Sequence, residues 1–251
     1  MKVGGIVDLS TKDIPGKACM VIFTTGCNFR CKFCHNKYLL MKDAGKEYSI
    51  KELIALVKNN FLVSSVSVTG GEPTLQTDLI EFCRDVKNLE KYMSMDTNGS
   101  NPNIIEKLIP YIDRIAVDLK SPLKKERYKY ITNTDIDPTL IERTIKVINQ
   151  KKNLDLEIRT TYVKNLLVEK DIHQIIQYLN KIGFTGTFVL QQYQYSEGVG
   201  EEFKDRFQKP EHTLLLDIVE RYLDENLPFQ IYIRDEIVGY SEIHEIFSKL
   251  I

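Results

Sequence analysis

"SSVSVTGGEPTLQTDLIEFCRDVKNLEKYMSMDTNG", residues 64–99, sets two strand-like runs on either side of an amphipathic segment. The first run, 64–70, is short and rich in Val, as a buried strand is. Residues 76–89 then carry Leu79, Phe82, Cys83 and Val86 at helical spacing, which predicts a helix with one apolar face. Residues 92–99 return to a strand pattern. A strand, a helix and a strand at this spacing pair their strands in parallel through a right-handed crossover. The fold class is therefore α/β.

The same rhythm runs outward in both directions. Towards the amino end, "ACMVIFTT" (18–25) reads as a strand. Ser49 and Glu52 are spaced as a capping box for a helix over 49–61, with Ile50, Leu53, Ile54, Val57 and Phe61 on one face. Towards the carboxyl end come a short helix between Pro102 and Pro110 and a strand over 113–120. A helix follows with Asp137 as N-cap, Pro138 at its first position and Leu140, Ile141, Thr144, Ile145 and Ile148 at a period of 3.6. Then a strand is expected over 154–163, a helix over 169–183 with Gly183 at its C-cap, a strand over 186–193, a long helix over 210–227 and a strand over 229–235. About six βα units predict a partial (β/α)6 TIM-like barrel in a single domain over 1–251. Its core is expected over about residues 17–195, and residues 196–251 form a helix and strand extension with no assigned role.

With 43% hydrophobic residues, the 251-residue chain has ample apolar material for one such core. No run is apolar enough to span a bilayer, and "MKVGGIVDLS" lacks the apolar stretch of a signal peptide. A cytoplasmic location is expected. A formal net charge of -1 gives no general pull on phosphate backbones or anionic lipid, so neither nucleic acid nor a membrane is an expected partner. The one basic stretch, "KKERYKY" (124–130), reads as a solvated helix face.

In a parallel barrel the chemistry sits at the carboxyl ends of the strands. "CNFRCKFCHN" (27–36) follows the first strand, "TGGEP" (69–73) the second, "DTNG" ends the third and "DLK" the fourth. Four unusual segments thus fall on one rim. Cys27, Cys31 and Cys34 are three of only five cysteines, spaced C-x3-C-x2-C. In a reducing compartment such thiols serve metals rather than disulfides. Structural zinc would need a fourth ligand, and His35, adjacent to Cys34, is badly placed for it. "CKFCH" also matches a haem attachment pattern, which belongs with exported proteins. Coincident core cysteines are a third reading. The fourth is an iron-sulfur cluster with one iron lacking a protein ligand. Cys19, inside the first strand, and Cys83, on an apolar helix face, look like small buried hydrophobes.

The C-x3-C-x2-C spacing with Phe33 before the last cysteine, followed one βα unit later by "TGGEP", resembles the radical S-adenosylmethionine (SAM) superfamily. The resemblance implies one [4Fe-4S] cluster on Cys27, Cys31 and Cys34, with SAM on the open iron. The reduced cluster would then split SAM into methionine and a radical that abstracts hydrogen from substrate, the cofactor doing the hard chemistry. It places Gly70, Gly71 and Glu72 at the methionine end of SAM and Phe33 against the adenine. Asp96, Thr97, Asn98 and Asp118 would lie near the SAM carboxylate and ribose, where Asp96 and Asp118 suit a monovalent cation. Lys120 and Arg159 would pair with the carboxylate.

Residues 10–36 resemble more narrowly the activases of glycyl radical enzymes, through "DIPG" and "CHN". This implies an oxidoreductase that makes a glycyl radical on a large partner, with Asp13, Pro15 and Gly16 where the partner's glycine loop enters. Two departures stand out: Lys37 replaces the usual proline after "CHN", and Gln194 stands where pyruvate formate-lyase activases carry a histidine. "LQQYQY" is similar instead to activators of anaerobic ribonucleoside-triphosphate reductase, which becomes the expected partner. Five cysteines cannot supply the extra clusters of longer activases, so flavodoxin or ferredoxin is the expected electron donor. Alternatives are a radical SAM enzyme for a small-molecule or tRNA-linked substrate, and a non-catalytic iron-sulfur or zinc-binding module.

Overall fold

The computed structural model describes residues 1–41, 43–196 and 205–249. It begins with a hairpin that the alternation did not anticipate. β1 (Lys2–Ile14) turns through Pro15 and Gly16 into β2 (Lys17–Thr24) and runs antiparallel to it, with three irregularities in register. The cysteine loop and β3 (Lys46–Glu47) lead to α1 (Ile50–Asn59). Strands and helices then alternate: β4 (Ser65–Gly70), α2 (Leu79–Asn88), β5 (Tyr92–Thr97), α3 (Pro102–Leu108) and β6 (Arg114–Asp118). After α4 (Lys125–Thr132) and α5 (Pro138–Asn149) come β7 (Asp155–Tyr162), α6 (Glu169–Lys181) and β8 (Thr187–Gln192). The described chain closes with α7 (His212–Glu220), β9 (Gln230–Asp235), β10 (Gly239–Glu242) and α8 (Ile243–Ser248).

The ten described strands form one sheet in the order β10-β9-β8-β7-β6-β5-β4-β2-β1-β3. From β2 to β9 every neighbouring pair is parallel. The sheet is not closed on itself, as a partial barrel requires. Residues 229–235, expected in an extension with no assigned role, form β9, which pairs in parallel with β8. The barrel therefore continues past residue 195. The helix expected over 210–227 is shorter, because after Glu220 its bonds tighten to Tyr222 N–H to Val219 C=O and Leu223 N–H to Glu220 C=O.

Strand parity sorts the residues. Met20, Ile22, Val66, Val68, Met93, Met95, Ile115, Val117 and Ile158 join the apolar helix faces in one core. The positions between them, two residues apart, face the barrel interior and are largely polar. There Cys19 packs with Ile14, Val21, Phe23 and Tyr92 as a small hydrophobe. Ser49 and Glu52 form the expected capping box, and Asp137 accepts from Thr139 N. Phe61, however, is 91% exposed beyond the end of α1 and takes no part in its buried face. The basic helix α4 is half structural: Tyr128 and Ile131 are buried, and Arg127 pairs with Asp171. No described helix is long and apolar enough to cross a membrane.

Candidate functional site

Two loops at the carboxyl ends of β2 and β4 are stitched together by backbone. Gly71 N–H donates to Thr24 C=O and Glu72 N–H to Gly26 C=O, while Gly26 N–H reaches Leu39 C=O across the cysteine loop. The two glycines permit this contact. Gly70 has φ +111, and a Cβ there would lie 2.5 Å from the Thr24 carbonyl oxygen; one on Gly71 would lie 2.1 Å from that of Gly26. Both glycines also line a cavity of about 350 Å³.

Cys27, Cys31 and Cys34 all line that cavity, whereas Cys19 and Cys83 are buried away from it. Burial pushes the Cys27 thiol up to about 11 and the Cys31 thiol up to about 12. Ligand chemistry reverses that cost, since a metal centre takes the thiolate. Phe29 N–H points at Cys27 Sγ (3.4 Å), as does the Asn98 side-chain amide (4.0 Å). Among the described residues, no three His, Cys, Asp or Glu side chains are arranged to hold a single ion. A cubane suits this arrangement, because each thiol meets a different iron. Three soft donors opening on a cavity, with no fourth among them, fit such a cluster.

Phe33 is 5% exposed and also lines the cavity, with Lys120 Nζ 5.7 Å from its ring centroid. Glu72 is placed otherwise than expected. It is fully buried and does not line the cavity. One carboxylate oxygen accepts from Thr74 N, Thr74 Oγ1 and Thr97 Oγ1, and the other from Asn98 N at 2.7 Å. Burial raises its pKa against these bonds. Its visible work is to tie the β4 loop to the β5 loop, which sets Thr97 and Asn98 on the cavity wall.

Behind the cavity stands a ladder of charges. Arg159 Nε meets Asp118 Oδ1 at 2.7 Å and its Nη2 meets Asp96 Oδ2 at 3.0 Å. Lys120 Nζ holds the other Asp118 oxygen at 2.9 Å. Burial alone would raise the Asp118 pKa, but Arg159 and Lys120 outweigh it and hold the carboxyl well below the usual range. The oxygens expected to suit a monovalent cation are thus bridged by a guanidinium. Below them Arg114 pairs with Glu157 at 2.9 Å and approaches Asp96 at 3.5 Å.

That lower pair stands between two cavities. The second is lined by residues at the amino ends of the strands, including Lys17, Tyr92, Asp155, Thr187 and Gln230. Pro15 lines this second cavity, at the end of the barrel opposite the cysteine loop, and Gly16 turns beside it. Asp13 alone of the three expected partner-loop residues lines the cysteine cavity. The reason is the hairpin: β2 must run its whole length between Gly16 and Cys27. The sequence reading missed Thr161, Gln191 and Arg234 as site residues, and all three line the cavity. A signal existed for one, since Thr161 lies two residues beyond Arg159 on the same face of β7. Gln194 turns to Gln192, donating to its Oε1. His35 stacks near Tyr193, and its Nε2 is buried without a partner.

Comparison with known proteins accords with this geometry. Residues 21–189 match the family model of the Radical SAM superfamily. A Methanocaldococcus jannaschii protein described as "Putative glycyl-radical enzyme activating enzyme" is 36% identical over 231 residues, covering 88% of this chain and 93% of that protein. A Saccharolobus islandicus protein described as "Probable GTP 3',8-cyclase" is 31% identical over 175 residues, 65% of this chain and 53% of its own length. Among solved structures, Streptococcus suis SuiB bound to precursor peptide SuiA shares the fold, with a TM-score of 0.67 at 18% identity over 92% of this chain and 50% of that one. The chain thus spans about half the length of the last two. With most of its barrel inside the family match, and the cysteine loop, the double-glycine loop and the charged strand ends on one cavity, the chain belongs to the radical SAM superfamily.

Proposed function

We propose that this protein is a glycyl-radical-enzyme activating enzyme, an oxidoreductase whose target is a glycine on a partner protein. The observation that carries the reading is the 36% identical relative of that description, matched over 93% of its length. The site supports it with three cavity-facing thiols and no others in reach. When bound, a [4Fe-4S] cluster and SAM supply reductive cleavage and hydrogen-atom abstraction.

The chain's own residues hold and orient those groups. Cys27, Cys31 and Cys34 are the ligands to the cluster. Gly70 and Gly71 bring backbone to the methionine end of SAM, and Phe33 packs on its adenine. Lys120 receives the carboxylate. Thr97, Asn98, Asp96 and Asp118 line the ribose side, with Arg159 locking the two aspartates in place; a separate cation is not needed where the guanidinium already bridges them. Glu72 acts through Thr97 and Asn98 as a positioning residue. Asp13 alone of the amino-terminal segment borders the substrate.

In this reading the partner is an anaerobic ribonucleoside-triphosphate reductase, on the strength of the Gln191, Gln192 and Tyr193 segment. Cys19 and Cys83 are buried away from the cavity, so the five cysteines supply one cluster, and flavodoxin or ferredoxin delivers the electrons. The relative described as a GTP 3',8-cyclase supports a second reading, a small-molecule substrate in the same cavity. Anaerobic reconstitution, reduction and addition of SAM should yield 5'-deoxyadenosine and methionine. Mixing the reduced enzyme with the candidate reductase should give a glycyl doublet by electron paramagnetic resonance. SAM cleavage without a doublet, in the presence of a competent partner, would favour the second reading.

A further inference from the structure

One wall of the cavity holds neither the cluster nor SAM in the assignments above. Thr161 is in register with Gln191, and Gln191 with Arg234, across three neighbouring parallel strands. All three line the cavity. Two of the three, Gln191 and Arg234, are only partly matched by the protein. Gln191 Oε1 is buried without a hydrogen-bond partner. Arg234 donates to the Lys12 carbonyl and forms no ion pair among the described residues. Burial, and then the charge of Arg159, lower its pKa, so its charged form is held at a cost. A buried polar atom left unmade costs about 1–3 kcal/mol. An unmet acceptor beside a guanidinium without an ion pair, both on residues that line one cavity, is satisfied by what enters it.

We propose that Gln191 and Arg234 hold the substrate as an extended peptide, Gln191 accepting from the backbone N–H and Arg234 donating to the C=O of one residue, the glycine that gives up hydrogen. This rests on the activating-enzyme reading. In an extended chain the N–H and C=O of one residue point to the same side. Side chains in register on adjacent strands start about 4.8 Å apart, near enough for both to converge on one residue. The Cα of the held residue then lies between the two contacts and is fixed without any side chain of its own. A carboxylate would satisfy Arg234 but would set an acceptor against Gln191 Oε1. The opposite orientation of the Gln191 amide would present donors, and the experiment separates the two.

The reconstituted, SAM-loaded enzyme is titrated with acetyl-Ala-Ala-Gly-Ala-Ala-amide and with its analogue carrying an ester oxygen in place of the glycine N–H. Wild type should bind the ester about tenfold more weakly, the worth of one hydrogen bond. Gln191→Leu should bind both alike, and Gln191→Glu, which keeps an acceptor, should restore the preference. Arg234→Ala should weaken both probes roughly tenfold and leave the ester penalty in place. Equal affinity of wild type for the two probes overturns the proposal. So does an ester penalty that survives in Gln191→Leu, or a wild type that binds neither probe. The glycyl doublet reports separately on the activating reading: a doublet without an ester penalty sinks only the peptide hold.

Discussion

Cys31 and Cys83 have the same side chain and opposite surroundings. Cys31 opens on the cavity with two other thiols, and Cys83 is sealed on α2 beside Phe82 and Val86. Cys31→Ala should abolish cluster retention and SAM cleavage, read by iron content and 5'-deoxyadenosine yield. Cys83→Ala should keep both and cost about 1 kcal/mol of stability in a urea melt. Asp118 makes a different prediction. Its folded pKa is depressed by Arg159 and Lys120 against burial, so its stabilising contribution is fully present above the unfolded value of about 3.9 and is lost as pH falls through the folded one. The urea midpoint of the metal-free chain should therefore fall more steeply in wild type than in Asp118→Asn as pH drops from 5 to 3 (about that range). Equal slopes would show that the ladder does not hold Asp118 ionised. Most of these residues were legible because their spacing carries chemistry. Gln191 and Arg234 were not, since a lone Gln or Arg near a strand end is an ordinary surface residue until its neighbours are known.

The joined loops after β2 and β4 behave as one element. Each is a turn in isolation, and their union depends on two backbone bonds that only a bare Cα at Gly71 allows. Gly71→Ala must push the Gly26 carbonyl away and should cost about 1–3 kcal/mol. Because Gly26 adjoins Cys27, SAM affinity should drop even where circular dichroism shows the fold retained; unchanged affinity would mean the loops move independently. Helix boundaries here were readable from caps and period. The β1 hairpin was less so, because "KVGGIVDLS" mixes glycine, charge and apolar residues without a clean alternation, and its bulges break the register further.

Across the whole molecule, the barrel interior carries a layer of buried charges beside the small apolar cluster around Cys19. Arg114 lies between Glu157 and Asp96, with Arg114 only 4% exposed. Arg114→Ala leaves two buried carboxylates short of a partner and should destabilise by about 3–5 kcal/mol, measured by urea denaturation. A loss under 1 kcal/mol (roughly the worth of an exposed pair) would show that water already fills the interior. The sequence by itself determined the α/β class, the parallel pairing, the cysteine loop and the rim on which the site lies. Those follow from local periodicity and from residue types whose chemistry is specific at close spacing. Only the tertiary structure decided that Glu72 turns inward, that Arg159 bridges Asp96 and Asp118, that Pro15 lies at the far end of the barrel, and that Thr161, Gln191 and Arg234 form one row. Each of these depends on how strands and loops are placed against one another in space, which no local pattern encodes.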